Sequence, residues 1–144
     1  VPSPAKVNYA TVSEYRQHFE RVYCNVAILT FDGIAVRFRK EDFDHCMFES
    51  THRDGVKDQF SQERSERIDW IKATLENPEA ELYQGWDGKR KCYLADRRVS
   101  VVYEEFVVII QLLGALPGTR RAKFITAYLA DNNIARIRRG PKWV

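Results

Sequence analysis

Residues 106–113 read FVVIIQLL, and residues 123–131 read KFITAYLAD. The first stretch is β-branched and nearly all apolar, the composition of a strand buried on both faces of a sheet. In the second, strict two-residue alternation puts Phe124, Thr126 and Tyr128 on one face and Lys123 on the other. Gly114 and Pro117-Gly118 lie between them and mark the turn. The two stretches therefore read as neighbouring strands of an antiparallel sheet.

Outward from this pair the pattern continues. AELYQGW (80–86), an Asp87-Gly88 turn and KRKCYLA (89–95) form a hairpin, and VSVVYEE (99–105) is either a further strand or an extension of it. Nearer the N-terminus, NVAILTF (25–31), Asp32-Gly33 and IAVRFRK (34–40) carry the signature of a hairpin with a two-residue turn. In its second strand Ile34, Val36 and Phe38 point one way, and Arg37 and Arg39 give the other face a positive charge.

Helical spacing appears twice. Thr11 with Glu14 makes a capping box, and Val12, Tyr15, Phe19 and Val22 recur on one stripe, which predicts a helix over 11–23 with His18 exposed off the stripe. After a polar, acidic connection containing EDFDHCMFES (41–50), Ser61 caps a second helix with Ile68, Ile71 and Leu75 buried; Asn77 before Pro78 ends it. Arg64 lies one turn before Ile68, so its guanidinium either snorkels to solvent or points into a polar site beside the core. The tail NNIARIRRGPKWV (132–144) reads as irregular or as a short helix. The predicted fold is one α+β domain over 1–144, an antiparallel meander with N-terminal helices on one face.

Composition bounds the function. A chain of 144 residues, 44% hydrophobic and 12% aromatic, can bury one good-sized core. Its longest apolar run, 106–116, is well short of the roughly 20 residues of a membrane-spanning helix. VPSPAKVNYA has no signal-peptide core, and the lack of an initiating Met suggests either a trimmed chain or a piece of a longer polypeptide. Cys24, Cys46 and Cys92 are odd in number and widely spaced, which fits reduced thiols in a cytoplasmic-type protein; His18, His45 and His52 lack zinc-site spacing. The net charge of +3 is unevenly spread: residues 41–81 carry a balance of −7, and residues 117–144 carry +6. A basic C-terminal part suits an anionic partner such as nucleic acid, or is a solvated tail.

No P-loop, G-x-G-x-x-G, H-E-x-x-H or G-x-S-x-G is present. What remains is a scattered polar set: His45, Arg64, Arg67, Lys123, Thr126 and Tyr128. His45 can take and give a proton near neutrality, although an isolated histidine is more often structural. Thr126 and Tyr128 are also simply good strand formers.

Taken in order, F-D-H (43–45), the Asn77-Pro78 helix end and T-A-Y (126–128) after FVVIIQLL resemble the phage- and toxin-associated nuclease-like domains grouped with barnase, EndoU, the tRNA-cleaving colicins and RelE, the BECR fold. The resemblance covers residues 34–130, and residues 9–31 lie outside its motifs. It implies a metal-independent ribonuclease without cofactor, in which a ribose 2′-hydroxyl attacks the adjacent phosphate. It implies His45 as base or acid and Arg64, with Arg67 as substitute, as phosphate clamp. Thr126 and Tyr128 would position the phosphate; Arg37, Arg39, Arg67 and Lys123 would bind substrate. The implied partners are RNA, tRNA included, and an immunity or antitoxin protein, with no membrane and a cytoplasmic site of action. The second expectation is a non-catalytic module on the same fold that grips nucleic acid or an acidic protein.

Overall fold

The computed structural model describes residues 3–50, 52, 57–87, 89–116, 119–130 and 134–143. It is an α+β protein built on a mixed six-stranded sheet. In chain order the elements are α1 (Val12–Phe19) with a π-helical turn at Glu20–Cys24, β1 (Ile28–Leu29), β2 (Ala35–Arg37), α2 (Glu41–Met47), β3 (Phe48–Glu49) and β4 (Gln59–Phe60). Then follow α3 (Gln62–Ser65), α4 (Ile68–Glu76), β5 (Glu81–Asp87), β6 (Cys92–Tyr103), β7 (Phe106–Leu116), β8 (Thr119–Leu129) and α5 (Ile134–Arg139). Strands β5 to β8 form an antiparallel meander; β2 then lies parallel to β8, and β1 edges the sheet in the order β1-β2-β8-β7-β6-β5. The parallel β2–β8 pairing makes the sheet mixed rather than wholly antiparallel. Strands β3 and β4 form a separate ribbon.

The expected apolar stripes form the main core. Tyr15 and Phe19 of α1, Phe43 and Met47 of α2, and Ile68, Ile71 and Leu75 of α4 pack on Val99, Val101, Val108, Ile110 and Phe124 of the meander. Thr11 caps α1 through the Glu14 N–H, and Ser61 caps α3 through that of Arg64. Tyr23, fully buried, donates its hydroxyl to the Ile68 carbonyl at 2.5 Å and accepts the Lys72 N–H at 3.0 Å. Those two groups are the ends of one helical rung of α4, so the phenol ties the π-turn into that helix.

Several local expectations give way. His18 is buried, with Nδ1 2.8 Å from the Tyr9 hydroxyl and Nε2 2.7 Å from Asp69, because position i+3 from Tyr15 borders the same stripe. The Asp32-Gly33 hairpin closes through Thr30 and Ile34 around a three-residue loop with Gly33 at φ 91°, the left-handed position such loops require. Residues 41–47 are helical, not a connection, and the helix expected over 61–77 breaks at Glu66–Arg67 into α3 and α4. VSVVYEE extends β6, β7 runs past Gly114, and the tail contains α5. Gly88, Pro117-Gly118 and residues 131–133 lie outside the described residues.

The register of β7 against β8 matters most for the site. Ile110 opposes Phe124 and Ile109 opposes Thr126, so Ile125 is an extra, bulged residue. The bulge resets the alternation. Phe124 faces the main core and Thr126 and Tyr128 face away from it, whereas Lys123, opposite Gln111, shares their face. On this second face α5 covers a small cluster of Tyr83, Val102, Val107 and Ala130. The tail then runs along β5, with Gln84 donating to Pro141 and Trp143 donating to Leu82.

Candidate functional site

Among the described residues β2 pairs with β8 only as far as Arg37 opposite Lys123, and beyond that point α2 packs against β8 in its place. The Cys46 thiol donates to the Ala127 carbonyl at 3.5 Å, satisfying an edge acceptor that a strand would otherwise take. Thr126 is within side-chain hydrogen-bonding reach of the same thiol. Arg64 of α3 donates from Nη1 to the Cys46 carbonyl at 3.2 Å and keeps Nε 3.9 Å from Glu49. The guanidinium thus occupies a polar site beside the core, one of the two outcomes its position allowed.

His45, on the outer side of α2, is exposed, and no described residue hydrogen-bonds it. Burial of part of the ring, then the positive charge of Lys57, hold its pKa below the ordinary value of 6.5; Arg64 adds to this and Asp42 opposes it. At neutral pH the uncharged form, which can act as a base, therefore predominates. His45 shares a shallow cavity of about 230 Å³ with Lys123, Arg39 and Asp42. Tyr128 lines a different and larger cavity, of about 450 Å³, under α5. Burial raises the Tyr128 pKa against the pull of Arg64, so its hydroxyl stays a donor. Thr126 stands between the two cavities along β8. The structure therefore gathers His45, Arg64, Lys123, Thr126 and Tyr128 along one strand edge, without placing all five around one cavity.

The other candidates separate. Arg67 is 9% exposed and committed: Nη1 donates to the Glu63 carbonyl at 2.7 Å and to Glu66 at 3.1 Å, and the guanidinium lies 5.1 Å over the Trp70 ring. Its position is structural. Arg39 is exposed but held by Asp42 and Glu41 at the start of α2. Arg37 is exposed and sits beside Lys123 in the parallel register, with Arg121 two residues back on the same face. Like charges placed directly side by side destabilise a sheet unless an anion lies over them. His52 is exposed and 3.7 Å from Asp58. Among the described residues no three His, Cys, Asp or Glu side chains group to hold a metal ion, and no helix is long and apolar enough to cross a membrane.

Trp86, Tyr93 and Arg136, which line the larger cavity, carry no motif in the sequence. The signal that could have found the aromatic pair is the hairpin register, which sets Trp86 opposite Tyr93. Comparison with protein-family models, curated proteins and solved structures finds no match to this chain.

Proposed function

We propose that the protein is a metal-independent endoribonuclease of BECR type, with His45 as general base. The observation that carries the reading is His45 itself: an exposed imidazole kept neutral beside Lys57 and Arg64, on a cavity it shares with Lys123. Neutral imidazole takes the proton of a ribose 2′-hydroxyl; the 2′ oxygen bonds to phosphorus, the bond from phosphorus to the 5′ oxygen breaks, and that oxygen takes a proton from solvent. Arg64 and Lys123 offset the charge that builds on the phosphate oxygens, and the Tyr128 hydroxyl is a further donor on the same strand. A four-stranded meander preceded by helices supports the BECR-like architecture. In this reading the substrate is RNA, tRNA included, met in the cytoplasm, and an immunity or antitoxin protein would cover the edge of β8.

Purified protein should cleave RNA in the presence of EDTA, and His45→Ala should slow cleavage by about 10²-fold or more. Toxicity on expression should be relieved by the same change. Intact RNA after long incubation at high enzyme concentration sinks the proposal. The paired Arg37 and Lys123 favour a second reading, a non-catalytic module that grips a polyanion. There, binding weakens steeply with salt while the RNA stays whole.

A further inference from the structure

The larger cavity lies between the second face of the sheet and α5. At about 450 Å³ it is within the range of small-ligand sites. Its walls are aromatic: Tyr128 inside, and Trp86 and Tyr93 at the mouth, edge to face with ring centroids 5.1 Å apart. Those two rings are 51% and 38% exposed, although each could bury far more apolar area in a core. Tyr93 is also braced from behind, since a Cβ on Gly140 would meet its ring at 3.2 Å. The polar side chains are few, the Ser100 hydroxyl and the Arg136 guanidinium, and Gln84 adds to the wall. No acidic side chain is among the described lining residues. Arg138, two residues further on, is committed to Glu81 and the Glu104 carbonyl, whereas Arg136 makes no ion pair with a described residue.

We infer that this cavity is a nucleobase pocket, in which one unpaired base of single-stranded RNA stacks on the face of Trp86 and meets Tyr93 edge to face while the adjoining phosphate meets Arg136. The inference rests on the nucleic-acid reading above and extends it to a subsite away from His45. Every base has a π-face, so exposed aromatic rings beside cations bind single strands with little regard to sequence. The Ser100 hydroxyl offers a donor and an acceptor to a base edge. Tyr128 joins the pocket to the row Thr126, Lys123 and Arg121 on the same face of β8. A strand leaving the pocket along that row would lay its phosphates on cations.

The probe is a 2′-O-methylated oligoribonucleotide, which lacks the attacking hydroxyl and cannot be cleaved. Its binding to the whole protein is followed by tryptophan fluorescence and by anisotropy at fixed salt. Trp70 is bonded to the Pro4 carbonyl and Trp143 packs on the core, so Trp86 should report. Saturating oligonucleotide should quench the signal. Trp86→Leu should remove the quench and weaken binding roughly tenfold, and Trp86→Phe should retain most of the affinity, because stacking tolerates any ring. Arg136→Ala should lower the slope of log affinity against log salt by about 0.7. Unchanged affinity in Trp86→Leu and Tyr93→Leu, or quenching that tracks protein concentration without RNA, as a second copy on the rings would give, overturns the inference. Loss of cleavage with binding intact would remove only the catalytic reading; cleavage with binding indifferent to Trp86 would remove only the pocket.

Discussion

The thiol of Cys46 and the carbonyl of Ala127, 81 positions apart in the chain, meet at 3.5 Å. Through this contact α2 stands beside β8 where β2 has ended, and it fixes the place of His45. Cys46 is fully buried, and burial raises its pKa; Cys24 is partly buried and also raised, by burial and then Glu20. Cys92 is exposed. A thiol-reactive chromophore should therefore label Cys92 rapidly and Cys24 slowly, and should reach Cys46 only on unfolding, since the thiolate is the reactive form. Fast modification of Cys46 in the native protein, read by peptide mass analysis, would show that α2 is not held as described.

His45 gives a pH prediction of definite sign. Its folded pKa lies below 6.5, so protons bind more readily to the unfolded chain, and the contribution to stability falls as pH drops through 6.5 towards the folded midpoint. Cleavage should rise through that same low midpoint and be level by neutrality. The imidazole resonance followed by NMR should titrate below 6.5; Lys57→Ala and Arg64→Ala should each move the midpoint up, and Asp42→Asn should move it down. A midpoint above 6.5 in the parent would contradict the placement of Lys57 and Arg64.

Arg64 and Arg67 should part company. Arg67→Ala removes bonds to Glu63 and Glu66 and the stack on Trp70, so it should cost about 1–3 kcal/mol of stability in chemical denaturation. Cleavage per folded molecule should stay near the parent level. Arg64→Ala should do the reverse and lower cleavage well before it lowers stability. Equal losses of cleavage from both would return Arg67 to the site.

His18 tests the packing of α1 on α4. Its ring joins the Tyr9 hydroxyl to Asp69, and His18→Ala leaves both without that partner. The expected loss is about 1–2 kcal/mol, because Asp69 is partly open to water. A denaturation midpoint equal to that of the parent would mean that the bridge contributes nothing.

What the sequence discloses here follows from range. The strands of the meander, the caps at Thr11 and Ser61 and the helix end at Asn77 depend on neighbours a few residues away, and all are legible. The partner of the His18 ring, Asp69, is 51 residues distant, and the helicity of 41–47 rests on an apolar set, Phe43, Cys46 and Met47, hidden among acids. The face of Lys123 hinges on one bulged residue, Ile125, whose single step inverts the alternation. For the candidate site, residue types were readable, but which of them share a cavity was not. His45 and Lys123 do so because α2 replaces a strand at the edge of β8, and no local pattern announces that.

The bulge also sorts the cations. Lys123 and Arg37 lie side by side on the second face and pair with no described acid, whereas Arg39 is held by Glu41 and Asp42. Each free cation over a phosphate releases about 0.7 of a counterion on single-stranded RNA. Lys123→Ala and Arg37→Ala should each lower the salt slope of oligoribonucleotide binding by about 0.7, and the double change should lower it by about twice that. Relief of their mutual repulsion should leave stability the same or slightly higher. Arg39→Ala should leave the slope unchanged and instead slightly weaken the start of α2, since it removes the guanidinium contact with Asp42 and keeps the backbone N–H bond to it. Anisotropy titrations between 50 and roughly 200 mM salt resolve slopes of this size. Identical slopes for Lys123→Ala and Arg39→Ala would show that the row on β8 does not carry the nucleic acid, and the path from the cavity under α5 to His45 would have to cross some other surface.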